Sequence, residues 1–305
     1  MKKSFAHRWM SAFLCLASTS LAFGATADTP QSRYRTGTSE VRLTFFATDQ
    51  NYHSVATVQT TDFAVVDQDS IVRNFNSFSR TDWMNVQVSV ILDASDSVSR
   101  QFKDEVATTL QWIRRSDGIP EENLSLIEFH GMRPRLICGG NCRTAQVEDH
   151  LPSATVGLTP LFDALIFASD RIPKDSDPHT RRVFVVFSDG QDTISLHSAD
   201  EALAAVLARD IQIYAVDLRP PGLASNGVFL LKKFANVTGG RYFTTRQGAD
   251  KVYDALLDDL QATYTVTYKL PGHAPGFHSV RLLPTHNLNL HFHCRDGYEY
   301  PASGQ

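Results

Sequence analysis

Asp93-Ala94-Ser95-Asp96-Ser97 places three oxygen-bearing side chains at alternate positions, directly after the apolar-alternating run V-Q-V-S-V-I-L. Asp and Ser at such spacing make ordinary turns, because their side chains compete for backbone hydrogen bonds. They can also be three ligands aimed at one hard cation. Two further clusters bear on the choice. G-L-T-P-L-F-D-A-L sets Thr159 just before a helical pattern, and S-D-G-Q-D sets Asp189 at the end of the apolar run V-F-V-V-F. Each alone has a plain reading: Ser97 or Ser99 as a helix cap, Thr159 as an N-cap ahead of Pro160, Asp189-Gly190 as a turn. Together the three loops converge on one edge if the strands form an open α/β sheet, whose ligands bind outside the carboxyl ends of the strands. Asp93, Ser95, Ser97, Thr159 and Asp189 then make an all-oxygen donor set suited to Mg²⁺, with water completing the octahedron; Mn²⁺ and Ca²⁺ accept the same ligands. The hydroxyls are neutral, so the ion keeps charge with which to attract a further carboxylate. Asp163, one helical turn after Thr159, is either an outer partner of this shell or a solvated helix-start carboxylate. Asp192 is either another outer partner or a turn residue.

The elements around these clusters predict the sheet. From about residue 85 strand patterns alternate with helical ones: F-K-D-E-V-A-T-T-L-Q-W-I-R-R repeats Phe102, Val106, Leu110 and Ile113 at helical spacing, and R-V-F-V-V-F reads as a parallel strand covered on both faces. The alternation predicts an α/β domain with a doubly wound, Rossmann-like sheet over 83–262. On either side only β-type runs occur. V-R-L-T-F-F-A, V-A-T-V, D-F-A-V-V-D and I-V-R-N-F precede the domain; T-Y-T-V-T-Y-K, H-S-V-R-L-L and L-N-L-H-F-H follow it. Neither flank has enough strands to stand alone, so segments 41–82 and 263–300 are expected to pair into one β-sandwich into which the α/β domain is inserted. Phe45, Phe63 and Phe75 are core residues of that unit; Phe46 points to the opposite face of its strand, toward the α/β domain.

The first residues read M-K-K-S-F-A-H-R, then a short apolar stretch, then G-A-T-A-D, as in a secretory signal peptide cleaved after Ala27. Residues 28–40 read as a flexible mature N-terminus and 301–305 as a tail. Export predicts a periplasmic or secreted protein with no stable membrane insertion after cleavage. Losing Lys2, Lys3 and Arg8 takes the net charge from −4 to −7, which disfavours nucleic acid and anionic membrane surfaces. I-C-G-G-N-C-R reads as a hairpin tip whose Cys138 and Cys142 form a disulfide in an oxidising compartment; a lone C-x3-C lacks the ligands of a zinc site. Cys294 has no assigned role. His291 and His293 share a strand face but lack a third ligand nearby in sequence.

Asp93-x-Ser95-x-Ser97 with Thr159 and Asp189 resembles the metal-ion-dependent adhesion site (MIDAS) of von Willebrand factor A (VWA) domains. The resemblance spans roughly residues 85–260 and includes F-S-D-G-Q-D and T-G-G-R-Y-F in the family's order; the flanks resemble bacterial exported VWFA-related proteins. It implies that Ser95 and Ser97 bind the cation directly, that Asp93 and Asp189 act largely through water, and that Thr159 moves in or out of coordination. It implies further that an Asp or Glu of a protein partner supplies the last ligand. Asp96 stands where many relatives carry Gly, and is expected to face solvent. The expected function is thus a non-enzymatic binding module in adhesion or envelope interactions. Its rivals are a structural envelope protein whose metal only stabilises the fold, and a Mg²⁺-dependent hydrolase. No recognisably paired base or nucleophile supports the hydrolase.

Overall fold

The computed structural model describes residues 40–81, 85–100, 102–116, 118–143, 147–152, 154–173, 179–219, 226–245, 249–269 and 275–300. The expected leader 1–27, the N-terminal segment to residue 39 and the tail 301–305 lie outside the described residues. The chain is mixed α/β. Its largest sheet has six strands: β5 (Val86–Asp93), β6 (Leu124–Phe129), β7 (Arg135–Gly139), β8 (Arg181–Ser188), β9 (Ile211–Asp217) and β10 (Tyr242–Thr244), in the order β10-β9-β8-β5-β6-β7. All neighbours run parallel except β7, which is antiparallel to β6. Every residue of β8 is buried, because the sheet is covered on both faces. Val88, Val90, Leu92, Val183, Val185 and Phe187 pack with α1 (Phe102–Arg115) and α5 (Ala249–Gln261). The alternate residues Ile91, Phe184 and Val186 pack with α2 (Leu161–Asp170), α3 (Ala199–Leu207) and α4 (Asn226–Val237). From β5 the chain moves outward to β6 on one side and returns to β8 on the other. The strand order therefore reverses between β5 and β8, the position at which loops diverge and leave a crevice at the carboxyl edge. Asp93 and Asp189 follow those two strands.

Among the described residues, eight further strands lie outside this sheet. β1 (Glu40–Thr48), β4 (Ser77–Arg80), β11 (Thr263–Lys269) and β13 (His291–Cys294) form one four-stranded sheet, ordered β13-β1-β11-β4. A second, ordered β14-β12-β2-β3, comprises β2 (Phe63–Asp67), β3 (Ser70–Val72), β12 (Gly276–Pro284) and β14 (Gly297–Tyr300). Each sheet takes strands from both ends of the chain, and the two share one apolar cluster that includes Leu43, Phe45, Phe63, Val266 and Leu282. Phe46 turns the other way and stacks on Tyr214 of β9 and on His293.

The structure departs from the sequence patterns in several places. V-A-T-V (55–58) is not a strand: its contact with β1 stops at an isolated bridge between Thr48 and Ser54 and the bond from Val55 N–H to Ala47 O, and Val58 N–H is taken by the Tyr264 hydroxyl, so no ladder runs along it. β4 carries no alternating apolar pattern that would mark it. Residues 138–142 are not a hairpin tip, because β7 pairs back on β6 and the chain after Gly140 turns toward the end of α1. There Arg143 donates to the carbonyls of Ile113 and Ile119. Cys138 and Cys142 are joined in that loop by a disulfide, with an S–S distance of 2.09 Å.

Candidate metal centre

Parallel register brings the first carboxylate into place. Leu92 pairs with Phe187 across β5 and β8, so Asp93 meets Ser188, whose hydroxyl donates to Asp93 Oδ2 at 2.7 Å. Asp93 Oδ1 accepts from both the backbone N–H of Ser95 at 3.0 Å and its hydroxyl at 2.6 Å. The turn that makes those bonds raises Ser95 and Ser97 side by side, Oγ to Oγ 2.8 Å. Thr159, just before α2, donates to Ser95 Oγ at 2.9 Å and lies 3.5 Å from Ser97 Oγ. Its loop is fixed by backbone bonds: Val156 N–H to Ala94 O, Asp96 N–H to Gly157 O, Gly131 N–H to Leu158 O. Thr193 from the loop after β8 holds Thr159 at both backbone groups. Asp96 is exposed, and its Oδ2 accepts the Gly157 N–H at 3.0 Å, which keeps it out of the hydroxyl cluster.

Asp189 stands beside Asp93, and both are buried to within 1 %. Gln191 donates to Asp189 from its backbone and its amide. Gly190 turns the chain at φ +75° against Gly227 of α4: a Cβ on Gly190 would meet Gly227 O, and one on Gly227 would meet Asp189 O, each at 2.3 Å. Only glycine fits there. Among the described residues no lysine, arginine or histidine forms an ion pair with either carboxylate. Burial pushes the Asp93 carboxyl up to about 7, against the pull of the Ser95 and Ser188 hydrogen bonds and with the charge of Asp189 adding to the rise.

The donor set fits a divalent cation on two counts. Buried carboxylates are normally paired with a cation or coordinate a metal, and among the described residues these two have hydrogen-bond donors but no cationic side-chain partner. Adjacent oxygens of an octahedral Mg²⁺ shell lie about 2.9 Å apart at the usual metal–oxygen distance; the three hydroxyl oxygens are 2.8, 2.9 and 3.5 Å apart. Asp163 and Asp192 face elsewhere. Asp163 accepts the backbone N–H groups of Leu196 and His197 and pairs with the His197 ring at 2.7 Å. Asp192 caps α2 by accepting from Phe162 N–H, and also accepts from the hydroxyl and backbone N–H of Ser195. These bonds tie the start of α2 to the 195–197 turn, and none of them reaches the hydroxyls of Ser95, Ser97 or Thr159. Ser188 is the contact that sequence reasoning passed over; a polar residue closing an otherwise apolar strand was its only signal. No group of three or more His, Cys, Asp or Glu with metal-binding geometry occurs among the described residues, so His291 and His293 gain no third ligand.

No protein-family model matches the chain, and no curated protein does. Solved structures do. One is an aerotolerance-related membrane protein from Bacteroides fragilis, 18% identical, covering 57% of this chain and 98% of that one, TM-score 0.44. A second is BatB from Bacteroides thetaiotaomicron, 17% identical, covering 57% and 96%, TM-score 0.42. A third is proximal thread matrix protein 1 from the mussel byssus with a zinc-occupied MIDAS motif, 12% identical, covering 64% of this chain and 50% of that one, TM-score 0.48. The chain thus spans half the length of the byssus protein. Likeness of this degree assigns no activity or partner. By its motifs the chain resembles VWA-domain proteins that carry a MIDAS.

Proposed function

We propose that the protein is an exported, non-enzymatic binding module that holds a divalent cation, Mg²⁺ by default, on Asp93, Ser95, Ser97, Thr159 and Asp189, and grips an Asp or Glu of a protein partner. The observation that carries this reading is the triangle of hydroxyl oxygens set over two buried carboxylates that lack cationic partners. When bound, the cation would supply a Lewis-acidic contact for an incoming carboxylate. Ser95 and Ser97 would turn lone pairs toward it by rotating their hydroxyl protons away. Asp93 and Asp189 would balance charge from behind, and Ser188 keeps Asp93 from rotating out. Exposed apolar side chains support a protein partner over a small anion: Met132, Val156, Leu158 and Leu196 on loops and Phe229 in the first turn of α4. Such a rim buries area around a central charged contact, as protein interfaces do.

The same proposal covers architecture. Residues 83–262 form a doubly wound, Rossmann-like VWA domain inserted into one β-sandwich built from 41–82 and 263–300. Helices on both sheet faces and the single apolar cluster between the two four-stranded sheets support it. Periplasmic or secreted localisation rests on the leader-like residues 1–27.

The test is Mn²⁺ binding followed by electron paramagnetic resonance, paired with capture of partners from the producing cell's envelope and medium in Mg²⁺ or EDTA. Wild type should bind one Mn²⁺ displaced by Mg²⁺ and capture a partner only with metal; an Asp93→Ala/Ser95→Ala variant should do neither. Metal binding with metal-independent capture would leave the site structural and move recognition to another surface. Absence of Mn²⁺ binding would end the proposal.

A further inference from the structure

A second polar pocket lies at the opposite end of the large sheet, where β8 and β9 begin. It has a small cavity of about 20 Å³ and is lined by Arg42 of β1, Thr81 after β4, Arg181 of β8, Asp210 before β9, and Arg295 after β13, with His179 at its mouth. A cavity of this size admits one or two water-sized groups. Three guanidinium groups face a single carboxylate, and that carboxylate is already engaged: Arg295 Nη1 pairs with Asp210 Oδ1 at 2.8 Å. Arg181, almost fully buried, bonds to neutral acceptors, namely Gln212 Oε1, Leu260 O and the Tyr214 hydroxyl. Arg42 donates to His179 Nδ1 at 3.2 Å. A guanidinium cannot accept, so that imidazole nitrogen carries no proton in this contact.

Two residues of the lining each carry a buried polar atom without a partner among the described residues: Arg295 Nε and Thr81 Oγ1. An unsatisfied buried donor is costly, and more so on a charged group. Excess positive charge, orphaned donors and room for little more than the tip of a ligand describe a site for an anion rich in acceptors. We propose that this pocket binds a small inorganic oxyanion, phosphate or sulfate, with its oxygens accepting from Arg42, Arg295 and Thr81 and its remaining oxygens at the solvent-facing mouth. The bound ion ties β1 and the turn after β13 to the base of β8 and β9, so it locks the β-strand sheets onto the α/β sheet. This is separate from the hydroxyl site at the other edge.

Thermal unfolding in EDTA, which removes any contribution of the metal centre, tests it. Sodium phosphate and sodium sulfate are titrated against sodium chloride at equal ionic strength, with isothermal calorimetry of the same ions. The expected result is a saturable rise in Tm and saturable heat with phosphate or sulfate but not chloride, with affinity at least tenfold weaker in Arg42→Gln and in Arg295→Gln. Sulfate also stabilises proteins generally, without saturation, so the variants decide. Should Arg295→Gln not fold, Arg42→Gln at the solvent-facing side and Thr81→Val still report. A rise that does not saturate, or that both arginine variants retain in full, overturns the proposal and leaves the pocket to water.

Discussion

Replacing Asp93 with asparagine should make the metal-free protein more stable than wild type and remove most of the stability that wild type gains from metal. Asp93 is buried, borders Asp189, and titrates at about 7 against an ordinary 3.8. A carboxyl raised in the folded state contributes stability that is fully present below about pH 4 and lost as pH rises through about 7. The loss amounts to roughly 4 kcal/mol at complete ionisation. Asparagine preserves the shape and removes the charge, so in EDTA at about pH 8 it should recover most of that loss, a rise in Tm on the order of 10 °C for a domain of this size. At about pH 4, where the acid is protonated, the two proteins should converge. Mg²⁺ narrows the gap: a hundredfold excess over Kd stabilises the wild type by about 2.7 kcal/mol, while the variant gains little. The assay is urea or thermal denaturation of both proteins across pH, in EDTA and in Mg²⁺. An asparagine variant that is less stable than wild type in EDTA at about pH 8, or that gains as much from Mg²⁺, would refute the claim that these carboxylates await a cation.

Gly227→Ala forces a Cβ to within 2.3 Å of Asp189 O, so it should cost about 2 kcal/mol or more and weaken Mn²⁺ binding, read by urea denaturation and resonance titration. His293, pushed down to about 4 by burial and by the charge of Arg241, should cost stability as pH falls from about 6.5 to 4, by up to roughly 3 kcal/mol. Asp259, pushed up to about 6 by burial, acts in the opposite sense, as does Asp93, so the check is the difference between wild type and His293→Gln over that range, which should move in the variant's favour as pH falls. Replacing Cys138 and Cys142 by serine opens a loop with a sequence separation of 4 and should cost about 2 kcal/mol by chain entropy, measured against wild type under non-reducing conditions.

What the sequence displays and what it conceals divide along a physical line. Asp93, Ser95, Ser97 and Thr159 are legible because the features that mark them are local: an apolar strand that ends, polar side chains at alternate positions, a proline ahead of a helix. Ser188 is not legible, because its contact with Asp93 exists only through the register Leu92 to Phe187 across two strands far apart in the chain. Asp163 and Asp192 carry the residue type of outer metal partners, yet both are drawn to backbone donors nearby. A helix start leaves N–H groups without intrahelical acceptors, and Asp192 satisfies that of Phe162 while Asp163 gathers those of the 196–197 turn. V-A-T-V fails as a strand for the same kind of reason, since Val58 finds the Tyr264 hydroxyl where a ladder would have placed a carbonyl. Phe45 and Phe46 show how far period two reaches: it assigns them to opposite faces, and one enters the core of the β-strand sheets while the other stacks on Tyr214. The identity of each covering surface depends on pairing between the chain's two ends, which joins β1 to β11 and β13. That same pairing gathers Arg42, Thr81, Arg181 and Arg295 around one cavity. Four residues with no shared motif can form a site only after the fold closes, whereas D-x-S-x-S announces its chemistry before it does.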